Sequence, residues 1–130
     1  MKPIFKKGDI KKYTHTITSN DIAAFEAGIV HELYSTFALC RDAEWSGRLF
    51  VLDMKEDDEE GIGTMIQIKH LSPAFVGETV EFEAEFDCIT DKNEIINQFR
   101  VTCNQRLIAV GTQGQKILKK DKIKSLFEKL

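Results

Sequence analysis

The stretch from Ile29 to Met54 constrains the fold of this chain more strongly than any other feature. It contains no proline and a single glycine, Gly47, so little in it would interrupt a helix. Its apolar residues fall on nearly every side of a helix instead of on one stripe. Such a helix is stable only when other elements cover most of its surface. The stretch therefore predicts a long central helix that is buried almost all round.

Two short elements are predicted before this stretch. Residues 8–18 contain tyrosine, isoleucine and three threonines, which favours a strand. Asp21 to Ala27 follows, with Ser19 or Asn20 as a possible N-cap and Gly28 as a stop. This pattern predicts a short helix.

After Met54 the hydrophobic period changes from helical to two. The acidic run Glu56 to Glu60 predicts a solvated loop. In Thr79 to Asp87 every second residue is apolar and the others are acidic, as in a strand with one buried face. The other predicted elements are strands at 64–70, 95–103 and 106–118 and a short helix at 123–130.

Together these elements predict an α+β fold in which an antiparallel sheet wraps round a long central helix, the hotdog fold. A chain of 130 residues suits a single domain, residues 1–130. One layer of sheet cannot cover the helix completely, and a chain of this size leaves much surface exposed. We therefore expect a homodimer.

Composition excludes several classes of partner. The net charge of −3 does not suggest a nucleic-acid binder, which usually carries a basic patch on a basic domain. Cys40, Cys88 and Cys103 form no CxxC pair, which argues against a disulfide framework or a metal site. No run is long enough to span a membrane, and no signal-peptide core follows the basic N-terminus. We expect a cytoplasmic protein without a metal and without nucleic-acid or membrane partners.

Glu44 is the first candidate for chemistry. It lies between Ala43 and Trp45, in an apolar setting where a carboxyl group can become a useful acid or base near neutral pH. Its structural alternative is an ion pair with Arg41 or Arg48, three residues before it and four after it.

Other polar residues offer weaker candidates. His70 ends a predicted strand, where a histidine has either a structural or a catalytic role. Thr36 offers a hydroxyl that could act in the site or cap the helix. Gly63 could let a substrate approach the backbone closely. His15 and His31 have no ligand-spaced partners, so both are interpreted as incidental.

These residues and several short motifs resemble the fluoroacetyl-CoA thioesterase-like family of hotdog proteins. The motifs are Ser35-Thr36, Glu44-Trp45, Gly63-Thr64, His70 with Pro73 and Gly77, and Gly111-Thr112. In that family a threonine precedes the central helix, a glutamate follows eight residues later and a histidine follows 26 residues after that. Thr36, Glu44 and His70 have both spacings. The resemblance extends over about residues 8 to 118.

The resemblance implies that the chain hydrolyses an acyl-CoA thioester without a cofactor, since CoA is part of the substrate. It implies catalytic roles for Thr36, Glu44 and His70. Glu44 would activate water or attack the carbonyl, His70 would hold or protonate the reacting groups, and Thr36 would orient them or be acylated. The expected substrate-binding residues are Phe37, Gly63, Thr64 and Gln115.

The chain departs from the family pattern at two places. Phe37 stands where the family often has proline, and Gln113 and Gln115 replace a histidine and an arginine. Specificity for a fluorinated acyl group therefore does not carry over. A continuous helix also separates Thr36 from Glu44 by about 12 Å, at about 1.5 Å per residue. The two can meet only if the helix begins after Thr36 or if two subunits share the site.

Two other functions remain open on the same scaffold. A non-catalytic protein that binds acyl-CoA or another apolar ligand is favoured by the missing arginine and opposed by the threonine, glutamate and histidine. A hotdog hydratase or dehydratase is loosely suggested by Thr18 to Ile22. No closely spaced aspartate and histidine on a loop before the helix supports that second alternative.

Overall fold

The computed structural model describes residues 1–130 and contains seven strands and two α-helices. The helices are α1 (Thr36–Met54) and α2 (Lys120–Glu128), and a single 3-10 turn spans Ser19–Asp21. The strands are β1 (Ile10–Thr16), β2 (Ile22–Phe25), β3 (Gly28–Tyr34), β4 (Glu59–His70), β5 (Thr79–Ile89), β6 (Ile95–Cys103) and β7 (Arg106–Lys119). Neither helix is long and apolar enough to cross a membrane.

Five of the strands form one antiparallel sheet in the order β1-β5-β6-β7-β4, and α1 packs against one face of it. Along β5 and β6 buried residues alternate with more exposed ones, as the period of two predicts. Leu39 and Ala43 of α1 lie in one core cluster with Phe82 and Val101 of the sheet. The predicted α+β architecture is confirmed, with its core between the helix and the sheet.

The segment before α1 is a β-hairpin, so the short helix predicted at Asp21 to Ala27 is wrong. Thr18 caps the 3-10 turn through a capping box with Asp21, and the chain is then extended as β2 and pairs with β3. Gly28 has a φ of +114° and lies at the hairpin turn instead of at a helix end. The β-branched residues Ile29 and Val30 favour a strand.

Helix α1 begins at Thr36, so the predicted start at Ile29 is also wrong. Ser35 is the N-cap, and its Oγ accepts a hydrogen bond from the Ala38 N–H at 3.1 Å. The predicted burial on nearly every side is wrong for this chain by itself, because the sheet covers one side of the helix. Phe37 and Trp45 are 49% and 41% exposed on the uncovered side.

Strand β4 is an edge of the sheet and is hydrogen-bonded only to β7. It is longer than the predicted 64–70, because the last two residues of the acidic run belong to it. Gly63 pairs with Gln115, and Met65 pairs with Gly114, so Thr64 is an extra residue in a bulge. The long open edge and its bulge determine how the site residues are arranged.

The β6–β7 turn and the C-terminal helix agree more closely with the sequence patterns than the segment before α1 does. Asn104 and Gln105 form the tight turn between β6 and β7, with φ values of 48° and 66°. Positive φ at both central residues is typical of a two-residue hairpin turn. The C-terminal helix α2 begins at Lys120, slightly before the predicted Ile123.

Candidate active site

Thr36 and His70 are in direct contact. Thr36 is the first residue of α1, and His70 is the last residue of β4. The Thr36 hydroxyl and His70 Nδ1 are 3.0 Å apart. The Ser35 cap fixes where the helix starts, so it also fixes the position of the hydroxyl. Two of the three predicted catalytic residues are therefore brought together.

The His70 ring has one nitrogen without a partner. Its Nε2 atom is buried and accepts or donates no hydrogen bond within the chain. Burial lowers the pKa of His70 below its ordinary value of 6.5, against a smaller opposing effect of the Ser72 backbone. A neutral imidazole with one unpartnered nitrogen can accept a proton or bind a polar group of a ligand.

An apolar cavity of about 650 Å³ opens beside this pair. Its walls are the β2–β3 hairpin, the first turn of α1 and the loop that follows His70. Phe37 lies at its edge and packs edge to face on Phe25, with the ring centroids 5.6 Å apart. The lining residues are Ala23, Phe25, Val30, His31, Leu33, Tyr34, Ser35, Thr36, Phe37, His70, Leu71, Ser72 and Pro73.

Glu44 lies at a second, smaller cavity of about 290 Å³. Gly63 of β4 faces it so closely that a Cβ atom on Gly63 would be 2.8 Å from Glu44 Oε1. The ion pair of Glu44 with Arg41 or Arg48 does not form, because Arg41 pairs with two aspartates and Arg48 pairs with Glu60. The Glu44 carboxylate is exposed and has no ion-pair partner in the chain.

The two glutamines that replace the family's histidine and arginine lie beneath α1. Gln113 Nε2 donates to the Glu44 carbonyl at 3.3 Å, and Gln115 Nε2 donates to the Gly47 carbonyl at 2.9 Å. Both side chains are almost fully buried. Gly47 has no side chain because a Cβ there would lie 1.7 Å from Gln113 Oε1. These contacts hold the middle of the helix on the sheet, and Gln115 also lines the Glu44 cavity.

Thr64 lies on the other face of the sheet. Gln113 and Gln115 point toward α1, so Gly114 between them points away from it. A Cβ atom on Gly114 would be 2.8 Å from Thr64 Oγ1. The Thr64 hydroxyl donates to the Glu94 carboxylate. Thr64 is therefore not in contact with the two cavities.

The structure separates the predicted residues into two groups. Thr36, Phe37 and His70 surround one cavity, and Glu44, Gly63 and Gln115 surround the other. Thr36 and Glu44 lie on one continuous helix, about 12 Å apart along its axis. Gly63 lies in the first half of β4 and His70 at its end, about 20 Å apart at about 3.3 Å per residue, since the extra residue Thr64 adds little length. Within one chain the three predicted catalytic residues do not meet.

Sequence reasoning missed an ion-pair network at the middle of α1, in which two buried aspartates are paired with the more exposed Arg41. Arg41 donates to Asp21 at 2.8 Å and to Asp42 at 3.0 Å. The Tyr34 hydroxyl donates to Asp42, and His15 Nε2 is 2.8 Å from Asp21. The charged residues inside an apolar segment were a usable signal, because buried charges need partners. Their partners come from distant strands, and His15 is therefore not incidental.

This network also contains the one group of side chains that could hold a metal ion. Ligand atoms of His15, Asp21 and Asp42 lie within 4.8 Å of one another. Arg41 already donates to both carboxylates, so a divalent cation there would meet a fixed positive charge. Burial would raise the pKa of Asp21, but hydrogen bonds from Arg41, Thr18 and His15 outweigh it and lower the pKa to about 2. The arrangement suits an ion-pair network better than a metal site.

The model of the family described as fluoroacetyl-CoA-specific thioesterase, FlK, matches residues 17–121 of this chain. The chain belongs to this family. The predicted resemblance is confirmed, and so is the predicted function, because the activity that defines this thioesterase family is hydrolysis of an acyl-CoA thioester. A search of curated protein sequences found no match.

Solved structures agree with this family assignment. A hypothetical protein of Thermus thermophilus, described as a thioesterase superfamily member, is 30% identical, with a TM-score of 0.92 over 99% of this chain and 94% of that one. A hot-dog-like protein from Thermanaerovibrio acidaminovorans is 18% identical, with a TM-score of 0.86 over 97% and 93%. A variant of the fluoroacetyl-CoA-specific thioesterase FlK is 16% identical, with a TM-score of 0.87 over 98% of each chain. The last two likenesses show that this thioesterase has the hotdog fold.

Proposed function

We propose that this chain hydrolyses acyl-CoA thioesters as a homodimer, at sites that combine Thr36 and His70 of one copy with Glu44 of the other. The observation that carries this proposal is the separation of the two groups within one chain, beside Gly63 and beside His70 of the same edge strand. Each copy offers one half of a site beside His70 and the other half beside Gly63. Two copies related by a twofold axis complete two sites.

The open edge of β4 supports a definite register for this dimer. Helix-facing positions on β4 are His70, Ile68, Ile66 and, because of the bulge at Thr64, Gly63. When two β4 strands pair antiparallel with Gln67 on the twofold axis, His70 of one copy lies opposite the partner's Gly63. Opposed residues in adjacent strands are about 5 Å apart. The partner's Glu44, which lies against its own Gly63, then reaches His70.

This arrangement supplies the groups that hydrolysis requires. The Glu44 carboxylate takes a proton from water as the water oxygen adds to the thioester carbonyl carbon, or it attacks that carbon itself. The carbon–sulfur bond then breaks, and the CoA thiolate leaves and receives the proton that came from water. On the second route the acyl group is first held on Glu44 as a mixed anhydride, and water then hydrolyses this anhydride, which restores the carboxylate. The products are a carboxylic acid and free CoA, so no cofactor is consumed. Both routes need the ionised carboxylate.

The first turn of α1 supplies donors for the developing oxyanion. The first N–H groups of a helix have no intrahelical acceptor. Those of Thr36 and Phe37 lie at the end of α1 beside His70. The positive end of the helix dipole favours negative charge at this place. The Thr36 hydroxyl keeps His70 Nδ1 occupied, which leaves Nε2 as the ring nitrogen that would serve the reacting groups.

The other predicted residues take supporting roles in this proposal. Phe37 contacts the acyl group, and Gly63 and Gln115 shape the Glu44 end of the site. Thr64, on the other face of the sheet, acts through the bulge that brings Gly63 into line with His70. The three free thiols of the chain support a reducing, cytoplasmic location.

Subunit complementation tests the shared site. Glu44→Gln and His70→Ala homodimers should each be nearly inactive, because each lacks one group at both sites. A heterodimer of the two has one intact site and one doubly altered site. Mixing equal amounts, with subunit exchange, should restore about one quarter of the wild-type activity by the statistics of a twofold dimer. No recovery in a mixture proven to contain heterodimers would show that the three residues do not act across subunits.

Cysteine cross-linking tests the register. In a Cys88→Ser background, Gln67→Cys should form a disulfide between copies under mild oxidation, because the two Cα atoms lie within disulfide range on the axis. Lys69→Cys is the matched control. It lies on the same face and the same strand, but is opposite the partner's Met65 and should not cross-link with itself. Cross-linking of Lys69→Cys instead of Gln67→Cys would reject this register.

A further inference from the structure

We propose that the acyl group this thioesterase prefers is medium-chain, apolar and uncharged, and that it lies in the cavity beside Thr36 and His70. The inference rests on the proposed function and adds the substrate class. The cavity volume of about 650 Å³ is within the usual range for sites that enclose small molecules. An acetyl-sized group beside His70 would leave most of this space to water.

The walls of the cavity are chemically suited to an alkyl chain. Phe25, Val30 and Leu33 come from the hairpin, Phe37 from the first turn of α1, and Leu71 from the loop after β4. Phe25 is 64% exposed and Val30 is 66% exposed. Apolar side chains gathered at an open cavity are an unusual surface feature that marks a binding site. An alkyl chain along them would remove apolar surface from water on both partners.

The same walls are unsuited to a charged acyl group. No lysine, arginine, aspartate or glutamate lines the cavity, and its only titratable side chains besides Tyr34 are His31 and His70. A second carboxylate, as in succinyl-CoA, would lose its hydration without gaining an ion pair. The thioester itself would be bound beside Thr36 and His70, whose polar groups are in contact with each other.

A series of acyl-CoAs provides the test. We expect kcat/KM to rise from acetyl- through butanoyl- and hexanoyl- to octanoyl-CoA, by about threefold to fourfold per methylene that is buried. Succinyl-CoA should be a poorer substrate than butanoyl-CoA, which has the same number of acyl carbons. Val30→Trp should fill the cavity and lower the ratio of octanoyl to acetyl activity. Ile29→Trp is the matched control, because Ile29 is equally exposed on the same strand but does not line the cavity.

A binding measurement separates this inference from the proposed function. Calorimetric titration of folded His70→Ala with acetyl- and octanoyl-CoA should show tighter binding of the octanoyl thioester, and Val30→Trp added to that variant should remove the difference. Hydrolysis with a preference for acetyl-CoA would overturn the inference and leave the function standing. Tighter octanoyl binding by a wild-type chain that hydrolyses no thioester would overturn the function and leave the inference standing. Equal binding of both thioesters would overturn the inference.

Discussion

Helix α1 carries two sets of polar side chains that differ in how they are partnered. Arg41 and Asp42 belong to a network in which the carboxylates are buried, Arg41 is more than half exposed, and each charge is matched by another group of the same chain. Thr36 and Glu44 are exposed and lie at the two separate cavities. Glu44 has no ion-pair partner. His70, which contacts Thr36, has a buried Nε2 atom without a hydrogen-bond partner. The first set is complete within one chain, and the second is not.

The comparison shows how one helix separates stability from chemistry. Buried charges are tolerated when geometry and hydrogen bonds satisfy them, and the removal of one partner is strongly destabilising. A group that must bind a substrate cannot already have all of its hydrogen-bond and ion-pair partners within the chain before the substrate arrives. The buried network should therefore respond to mutation in the free energy of unfolding, and the exposed set should respond in the rate of hydrolysis.

The largest expected effect is on the rate. Glu44→Gln and His70→Ala should each reduce kcat/KM by about 100- to 10,000-fold, the usual contribution of a positioned acid or base. Glutamine keeps the shape of glutamate, and Glu44 has no ion pair to lose, so the thermal melting temperature should change little. Steady-state kinetics with the best acyl-CoA, alongside circular dichroism and thermal melting, would measure both.

A folded Glu44→Gln protein that hydrolyses at near the wild-type rate would remove Glu44 from the mechanism. The non-catalytic binding protein, or another carboxylate such as Asp42, would then become the better explanation. If Glu44→Gln or His70→Ala failed to fold, that residue would be needed for stability, like the members of the ion-pair network. The distinction between the two sets of polar side chains would then be lost.

The next effect is on stability. Asp21→Asn should lower the free energy of unfolding at pH 7 by about 2 kcal/mol, because a pKa held near 2 stores roughly that much per buried carboxylate. Since the folded-state pKa lies below the unfolded value, this contribution is present above about pH 4 and is lost as the pH falls toward 2. Urea unfolding should therefore show that the difference in the free energy of unfolding between wild type and variant is smaller at pH 3 than at pH 7. A gap that is constant with pH would contradict the role given to the ion pairs.

A smaller effect is expected on the pKa of His70, and it tests whether the two groups of site residues meet in the dimer. The partner's Glu44 would favour the protonated form of His70, so Glu44→Gln should lower the pKa of His70 still further. Titration of the His70 ring protons by NMR would follow this directly. Within one chain Glu44 and His70 are too far apart for a sizeable effect, so an unchanged titration would indicate that the two groups of site residues act separately.

The smallest expected effect is discrimination between fluoroacetyl-CoA and acetyl-CoA. Gln113 and Gln115 replace the family's histidine and arginine, and their amides are bonded to backbone carbonyls of α1. A neutral amide cannot reproduce the charged fork of arginine. Competition kinetics should show the two thioesters hydrolysed at similar kcat/KM. A strong preference for fluoroacetyl-CoA would show that other residues determine it.

Several features of the fold could be predicted because their patterns are local. The alternation in β5 and the apolar interior of α1 each identify an element from its own residues. The hairpin could not be recognised in this way. Its strands are short, and Ile29 and Val30 are exposed. In the sequence, their apolar side chains are equally consistent with one more turn of a buried helix. Tertiary pairing with β2 decided between the two.

By itself, the sequence determined the α+β class, the family, and the spacing of Thr36, Glu44 and His70 along the chain. Only the tertiary structure decided which of them meet. Thr36 reaches His70 across 34 residues because the start of α1 and the end of β4 lie together, and Glu44 is carried about 12 Å away by the same helix. A pattern along the chain specifies which face each side chain occupies. Contacts between elements depend on where each element begins and on strand register, and those are set by caps, bulges and packing.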